Sequence, residues 1–288
     1  MDAVKGDSEG IGPGATGPND AAASFPAVQA QIAVVTGGGG GIGAAICRQL
    51  AAAGATVVIA DIALDGARET AASIGSSETT VVQSVDVAAP SQVNALIKEV
   101  LSRFGRIDLL VNNAGVVSVA SLENASLDDW RRTFAVNVEG AMLTMRAAAT
   151  AMLRQTPLEQ TACRGKIVNI SSPAAELGRP LLPAYGASKA ALNHLSKSAA
   201  VSWADDAIAT TIVYPGSVKD AMWPRLASEL AAAEGRSAES VIEERIAWMP
   251  SGRFQEPTEV ARAVLFAANF RGMGLNGRTL WTEPHVSL

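Results

Sequence analysis

The 288-residue chain is poor in cysteine and histidine, with two residues of each. Cys47 and Cys163 are too few for a disulfide framework, and neither has a neighbour at the spacing of a metal ligand. His194 and His285 stand apart from other ligand types, so packing or surface positions are expected for both. The sequence therefore predicts reduced, non-catalytic thiols and no metal site.

Charged residues are also sparse. They make up 18% of the chain, below the ~25% typical of soluble proteins, and the net charge is −5 with no lysine or arginine block. No apolar run approaches the roughly 18 residues of a membrane span, and the first residues lack the basic and apolar regions of a signal peptide. We therefore expect a soluble cytoplasmic protein that binds neither nucleic acid nor a membrane, with some surface buried between subunits.

The chain divides into a tail and one large domain. Residues 1–28 are rich in glycine, proline, alanine and polar residues without apolar periodicity, which predicts a disordered tail. Residues 29–288 alternate between short apolar runs rich in valine and isoleucine and segments with helical character. We predict strands at 32–35, 56–60, 80–85, 107–111, 166–170 and 209–213, and helices at 44–53, 90–104, 130–152 and 184–203. This alternation indicates a doubly wound α/β domain whose parallel sheet is covered on both faces.

A glycine cluster follows the first predicted strand, in the sequence TGGGGGIG at residues 36–43. Glycines let the backbone turn tightly and approach a pyrophosphate, which then contacts free N–H groups at the positive end of the next helix. A glycine run alone could be a flexible linker. The strand before it and the helix after it favour dinucleotide binding.

Polar side chains gather where the predicted strands end, which is the edge at which doubly wound sheets bind ligands. Asp61 ends the second strand, where a carboxylate can accept hydrogen bonds from the ribose hydroxyls of NAD and would repel the extra phosphate of NADP. The alternative for Asp61 is an ordinary helix N-cap. The other strand-end residues are Asp86, Asn112, Asn113, Ser171, Ser172, Pro215 and Gly216.

Tyr185 and Lys189 form a candidate catalytic pair. They lie one turn apart on one face of a predicted helix. A nearby cation favours the phenolate and lowers the pKa of tyrosine from its usual ~10, so this phenol could exchange a proton with a substrate oxygen. Ser172, at a strand end, could hydrogen-bond the same oxygen. The alternative is ordinary helix packing, because the spacing Tyr-x-x-x-Lys also arises by chance.

Several ordered motifs together carry a family resemblance. They are TGGGGGIG at 36–43, Asp86-Val87, NNAG at 112–115, NVEG at 137–140, NISS at 169–172, YGASK at 185–189 and PGSV at 215–218. On these residues the chain from about Gln31 onward is identified as a member of the short-chain dehydrogenase/reductases, NAD(P)-dependent enzymes. The resemblance implies a single doubly wound Rossmann domain with a seven-stranded, mostly parallel sheet flanked by helices. It also implies a homo-oligomer, a dimer or tetramer.

The resemblance implies a cofactor site for NAD. In it Gly37, Gly41 and Gly43 form the phosphate turn with Ile42 beside it, Asp61 holds the adenosine ribose, Asp86 and Val87 flank the adenine, Asn113, Ala114 and Gly115 carry the cofactor across the sheet edge, and Pro215, Gly216 and Val218 face the nicotinamide.

The same resemblance implies roles in catalysis. Tyr185 would be the general acid/base, Ser172 would orient the substrate oxygen, and Lys189 would acidify the tyrosine and bind the nicotinamide ribose. Asn137 would hold a water that relays protons toward Lys189, or alternatively make only a helix–helix hydrogen bond. The expected reaction is NAD(H)-dependent interconversion of a secondary alcohol and a ketone. The competing hypothesis is a catalytically idle dinucleotide-binding regulatory protein.

The chain departs from the family pattern at two places. Asp220 stands where the family often has a threonine, and a carboxylate can only accept hydrogen bonds. The residues after Thr279-Leu280-Trp281 also differ from the usual Asp-Gly-Gly, which affects the expected subunit contacts. Residues 220–250 should cover the substrate pocket, with Trp223 and Trp248 either lining it or packing on the core. The segment 220–250 resembles the corresponding segment of polyol and small-diol dehydrogenases. An apolar ketone or a cyclic alcohol would also fit the expected pocket.

Overall fold

The computed structural model describes residues 28–76, 78–220 and 222–283. The predicted N-terminal tail lies outside this part, except for Val28, which is buried in the core. His285 also lies outside it. In the part described, no helix is long and apolar enough to cross a bilayer.

Within these residues, seven parallel strands form one sheet in the order β3-β2-β1-β4-β5-β6-β7. The strands are β1 Ile32–Thr36, β2 Thr56–Asp61, β3 Thr80–Ser84, β4 Leu109–Asn112, β5 Gly165–Ile170, β6 Ile208–Tyr214 and β7 Thr279–Trp281. The strand order reverses between β1 and β4, the position where such sheets open a crevice for a ligand. The predicted doubly wound α/β class is confirmed.

Helices cover both faces of the sheet. Those in the described residues are α1 Gly41–Ala52, α2 Leu64–Ile74, α3 Pro90–Phe104, α4 Leu127–Phe134, α5 Ala141–Met152, α6 Pro183–Ser202, α7 Met222–Glu234, α8 Ala238–Ala247 and α9 Pro257–Asn269. The single long helix predicted over 130–152 is wrong in one respect, because a π-helical turn at Ala135–Gly140 separates α4 from α5.

The core has two halves, one on each face of the sheet. Alternate residues of a strand point to opposite faces, so Ala33 and Val35 of β1 pack with α1 and α9 while Val34 packs with α3 and α5. All five residues of β1 are buried. This two-sided burial explains why the strand sequences read as continuous apolar runs.

The segment predicted to cover the pocket forms two helices, α7 and α8. They share a small apolar cluster of Ala227, Ala231 and Val241, with Trp223 packed against it. This cluster is separate from the two main halves of the core, so α7 and α8 form their own layer beside the sheet edge.

Candidate active site

A cleft of about 880 Å³ lies outside the carboxyl ends of the strands, at the reversal of strand order. Its lining contains almost every residue that the sequence predicted for the site. These are Gly37, Gly41, Ile42, Asp61, Asp86, Val87, Asn113, Ala114, Gly115, Ser172, Tyr185, Lys189, Pro215, Gly216 and Val218. Gly43 and Asn137 are the two predicted residues that do not line it.

The glycine turn between β1 and α1 borders one end of the cleft. Gly37 and Gly41 have φ values of +64° and +49°, a backbone region that residues with a side chain rarely adopt. The N-cap of α1 is Gly40, which has no side-chain cap, and the first turn contains no acidic residue. The positive end of α1 is therefore free to bind an anion such as a pyrophosphate.

Gly43 does not line the cleft, and it lies packed against the glycine turn. A Cβ atom at Gly43 would lie 2.0 Å from the carbonyl oxygen of Gly37, so only glycine lets α1 pack this closely on the turn. Asn113 fixes the same turn, because its Nδ2 donates a 2.9 Å hydrogen bond to Gly37 O. The backbone N–H of Asn113 also donates to Thr36 Oγ1, at 3.1 Å. These bonds tie the end of β4 to the glycine turn.

Asp61 projects into the cleft at the end of β2. Its Oδ2 accepts from Gly39 N at 2.7 Å and its Oδ1 accepts from Ala63 N at 2.8 Å. The N-cap of α2 is Ala63, so the alternative that Asp61 is itself the N-cap is wrong. Each carboxylate oxygen keeps a further acceptor site for a ligand. The neighbouring Ile62 is 71% exposed.

Ser172, Tyr185 and Lys189 line the same cleft. The Nζ atom of Lys189 lies 5.8 Å from the ring centroid of Tyr185 and donates a 2.8 Å hydrogen bond to Ile170 O, at the end of β5. Ser172 Oγ accepts from Ala174 N at 3.1 Å, and its hydroxyl is near enough to the Tyr185 side chain to lower the pKa of the phenol. The hydroxyl, the phenol and the ammonium thus face one space, as a proton-transfer site requires.

Burial shifts the pKa of both members of the Tyr185–Lys189 pair. It raises the pKa of Tyr185, whereas the hydrogen bond with Ser172 and the positive charge of Arg245 lower it and the negative charge of Asp220 raises it. Burial lowers the pKa of Lys189 to about 8. Arg245, which the sequence did not point to, is a second cation near the phenol, in addition to Lys189.

Asn137 is buried behind the cleft wall, in the π-helical turn. Its Oδ1 accepts from Val116 N at 2.8 Å, and its Nδ2 donates to Val116 O at 2.9 Å and to Ser188 Oγ on α6 at 3.0 Å. The helix–helix hydrogen bond considered as an alternative is therefore present. A Cβ atom at Gly115 would lie 3.3 Å from Asn137 Oδ1 and 3.5 Å from Lys189 Nζ, so both polar groups lie behind this glycine.

Asp220 lies beside the glycine turn. Its Oδ1 accepts from Met222 N at 3.0 Å at the start of α7, and a Cβ atom at Gly41 would lie 3.0 Å from its Oδ2. Burial raises the pKa of this carboxyl. Its charge therefore lies near the turn where a pyrophosphate would bind, and it also acts on the phenol of Tyr185.

Two cleft residues that the sequence analysis missed are Arg179 and Arg245. Arg245 lies on α8 without an acidic residue three or four positions away, a weak sign that its charge has a role other than a helix-surface ion pair. Arg179 lies in the loop before α6, where no periodic pattern exists to mark it.

Cys47, Cys163 and His194 do not line the cleft. Cys47 and Cys163 are buried and unpaired, and burial raises the pKa of both, that of Cys47 to about 12. His194 is exposed on α6. Across the described ranges, no group of three or more histidine, cysteine, aspartate or glutamate side chains is placed to hold a metal ion.

Comparison with known proteins agrees with this geometry. A family model described as short chain dehydrogenase matches residues 31–231. The chain is 33% identical to a galactitol 2-dehydrogenase of Agrobacterium fabrum over 83% of the chain and 90% of that protein. It is 34% identical to a D-threitol dehydrogenase of Mycolicibacterium smegmatis, over 87% and 90% of the two proteins. It is 32% identical to a trans-4-hydroxycyclohexanecarboxylate dehydrogenase of Sinomonas cyclohexanicum, over 88% and 91%.

Proposed function

Because the chain belongs to the short-chain dehydrogenase family and is an oxidoreductase of alcohols and ketones, we propose that it uses NAD(H) with Tyr185 as general acid/base. The observation that carries this proposal is the meeting of Ser172, Tyr185 and Lys189 in one cleft with the glycine turn and Asp61. A replacement of Tyr185, argued in the Discussion, tests it.

The residues of the cleft fit a nicotinamide dinucleotide. The uncapped start of α1 and the positive φ of Gly37 and Gly41 suit the pyrophosphate, and Asp61 has acceptor sites left for the ribose hydroxyls. When bound, the nicotinamide supplies the site that accepts or donates hydride. The negative charge of Asp61 opposes the additional phosphate of NADP, which supports the preference for NAD.

The protein supplies placement and proton transfer. In alcohol oxidation the phenolate of Tyr185 takes the hydroxyl proton, Ser172 hydrogen-bonds the substrate oxygen, and Lys189 binds the nicotinamide ribose. Both N–H hydrogens of the Asn137 side-chain amide already donate, to Val116 O and to Ser188 Oγ. A water that relays protons would therefore have to bind to Asn137 Oδ1 or to its backbone carbonyl oxygen.

We expect the two directions of the reaction to depend oppositely on pH. Oxidation needs the deprotonated phenol and reduction needs the protonated one. Because burial raises the pKa of Tyr185, kcat/KM for oxidation should rise from neutral into alkaline pH while kcat/KM for reduction falls.

The groups facing the phenol are Lys189, Arg245, Asp220 and Ser172. The measurement is a pH profile in both directions, with circular dichroism at each pH to confirm folding. Parallel profiles would contradict the assignment.

Replacing Asp220 with asparagine should strengthen NADH binding by roughly fivefold. The change removes one negative charge near the glycine turn, worth about 1 kcal/mol at a partly solvated site, and keeps an oxygen that can accept from Met222 N. Titration of NADH by fluorescence measures it. Asp205→Asn, an exposed site outside the cleft, is the charge-matched control. Equal affinities in all three proteins would show that Asp220 lies too far from the phosphates to matter.

The relatives indicate the range of substrates to test. Two carry names of polyol dehydrogenases and one the name of a dehydrogenase of a cyclic hydroxy acid. We propose a secondary alcohol within this range, covered by α7 and α8. The assembly of two or four copies and the cytoplasmic location stay predictions, which sedimentation and cell fractionation would test.

A further inference from the structure

Two arginines lie in the cleft with Tyr185, on segments far apart in the sequence. Arg179 lies in the loop between β5 and α6, and Arg245 lies on α8. Both are partly buried. The charge of Arg179 contributes to lowering the pKa of Arg245, so the two guanidinium groups are close enough to repel each other.

Aromatic rings hold both guanidinium groups by their faces. The Cζ atom of Arg179 lies 5.0 Å from the ring centroid of Trp248, and the Cζ atom of Arg245 lies 5.7 Å from that of Trp223. Trp223 itself stacks on Phe254, with centroids 4.8 Å apart. An aromatic ring interacts with the face of a guanidinium, while the N–H donors point outward in its plane. Stacking on the rings therefore fixes the orientation of both guanidinium groups and leaves N–H donors available to a ligand.

Neither arginine has an acidic partner in the part of the chain that the structure describes. No carboxylate there lies within 4.0 Å of either guanidinium, although the more distant charge of Glu244 raises the pKa of Arg245. The hydrogen bond found is the 2.6 Å bond from Arg245 Nε to Ser217 Oγ. Two other arginines of the same cleft differ in this respect. Arg236 pairs with Glu234 and Glu244, and Arg132 pairs with Asp129.

A partly buried cation without an anion is unfavourable, and two adjacent cations more so. Burial is the main cause that lowers the pKa of Arg245, to about 10. An oxyanion placed between the two groups would offset both the desolvation and the repulsion. Guanidinium donors match the oxygens of a carboxylate or phosphate in pairs.

We propose that the substrate is a secondary alcohol carrying an oxyanion, a carboxylate or a phosphate ester, which Arg179 and Arg245 bind. This rests on the proposed function of the same cleft and names its substrate class. Because Arg179, Arg245 and Tyr185 line one cleft, the anion and the reacting carbinol belong to the same small substrate. Leu181, Leu182 and Met222 add apolar lining that suits a hydrocarbon frame better than a neutral polyol.

The reaction balances with the anion unchanged. The carbinol C–H bond breaks and its hydride passes to NAD⁺, the O–H bond breaks and its proton passes to the phenolate of Tyr185, and a ketone forms. A hydroxy acid thus gives a keto acid, NADH and one proton. The arginines act as binding groups that set the specificity.

The test compares pairs of substrates of which one member carries the oxyanion and the other is neutral. The pairs are 3-hydroxybutyrate and 3-hydroxycyclohexanecarboxylate with their primary amides, and sorbitol 6-phosphate with sorbitol. We expect kcat/KM to favour the anionic member of at least one pair by more than about tenfold, chiefly through KM, since hydrogen bonds to charged groups are stronger than those to neutral groups. The carboxylate and phosphate pairs identify which oxyanion is bound.

The variants Arg245→Met and Arg179→Met should each lower that preference ratio by about tenfold or more, and Arg245→Lys should restore part of it. Arg262→Met removes the same charge from the exposed face of α9, outside the cleft, and should leave the ratio unchanged. The ratio compares two substrates on one protein, so partial loss of folded enzyme does not move it. Arg179→Met keeps the test available if Arg245→Met fails to fold.

Binding provides a readout that does not need turnover. We expect 3-oxocyclohexanecarboxylate to bind the NADH complex of the Tyr185→Phe variant more tightly than its amide does, as measured by nicotinamide fluorescence. Equal binding and equal turnover of charged and neutral members would overturn the oxyanion site and leave the alcohol dehydrogenase proposal standing. If NADH and the keto acid bind but the wild-type enzyme turns over no alcohol, the proposed function fails and the oxyanion site stands.

Discussion

Replacing Tyr185 with phenylalanine is expected to lower kcat by about 10³-fold or more while the Kd for NADH stays within about threefold. The variant keeps the aromatic ring in the cleft and removes only the hydroxyl that transfers the proton. Lys189 and the glycine turn are unchanged, so the cofactor contacts remain. The measurements are steady-state rates in both directions and an NADH titration of the same preparation.

The chain offers a matched control, because Tyr214 is its other tyrosine. Tyr214 is buried at the end of β6, outside the cleft, where its hydroxyl donates to Glu176 at 3.0 Å and accepts from Asn193. Tyr214→Phe should therefore cost about 1–3 kcal/mol of stability and leave kcat nearly unchanged at temperatures where the protein stays folded. Full activity in Tyr185→Phe would remove the phenol from the mechanism. An inactive wild type that still binds NADH would favour the idle dinucleotide-binding protein.

The double variant Asp61→Asn, Ile62→Arg should reverse the cofactor preference, changing the NADPH to NADH ratio of kcat/KM by about 10²–10³-fold. Two changes favour a 2′-phosphate on the adenosine ribose, the loss of one negative charge and the gain of one positive charge. Each should strengthen the binding free energy of that phosphate by about 1–3 kcal/mol. Ile62 is exposed, so an arginine fits without repacking, and asparagine retains an acceptor for Gly39 N or Ala63 N.

Rates with both cofactors measure this prediction. Asp65→Asn is a suitable control, because it removes the same charge from the same segment at a side chain that is 93% exposed and outside the cleft. Tighter use of NADPH than NADH by the wild type, or an unchanged ratio in the double variant, would show that Asp61 does not select the cofactor.

Local patterns predicted the architecture well because the features they depend on are local. The apolar runs of β1, β2 and β5 are buried on both faces, which leaves a signal in every residue of the strand. The division of the predicted helix 130–152 left no such signal. Its π-helical turn accompanies hydrogen bonds of Asn137 to Val116 and Ser188, which are distant in sequence.

The cofactor turn shows the same division between local and distant causes. Glycines between a strand and a helix predicted an anion site, and the turn has the positive φ angles and α1 the uncapped start that such a site needs. That Gly43 faces Gly37 and not the cleft depends on how closely α1 approaches β1. The place of Asp220 beside Gly41 depends on where the chain returns after β6.

By itself, the sequence determined three features. They are the alternation of strands and helices along the chain, the polar groups at the strand ends, and the one-turn spacing of Tyr185 and Lys189. Each of these follows from a short-range period or a helix rise. Only the tertiary structure decided that Arg179 and Arg245 line one cleft, where the described residues place no carboxylate within 4.0 Å of either guanidinium. The physical reason is that charges on separate segments interact through space, and their distance is set by the packing of α8 beside the sheet edge.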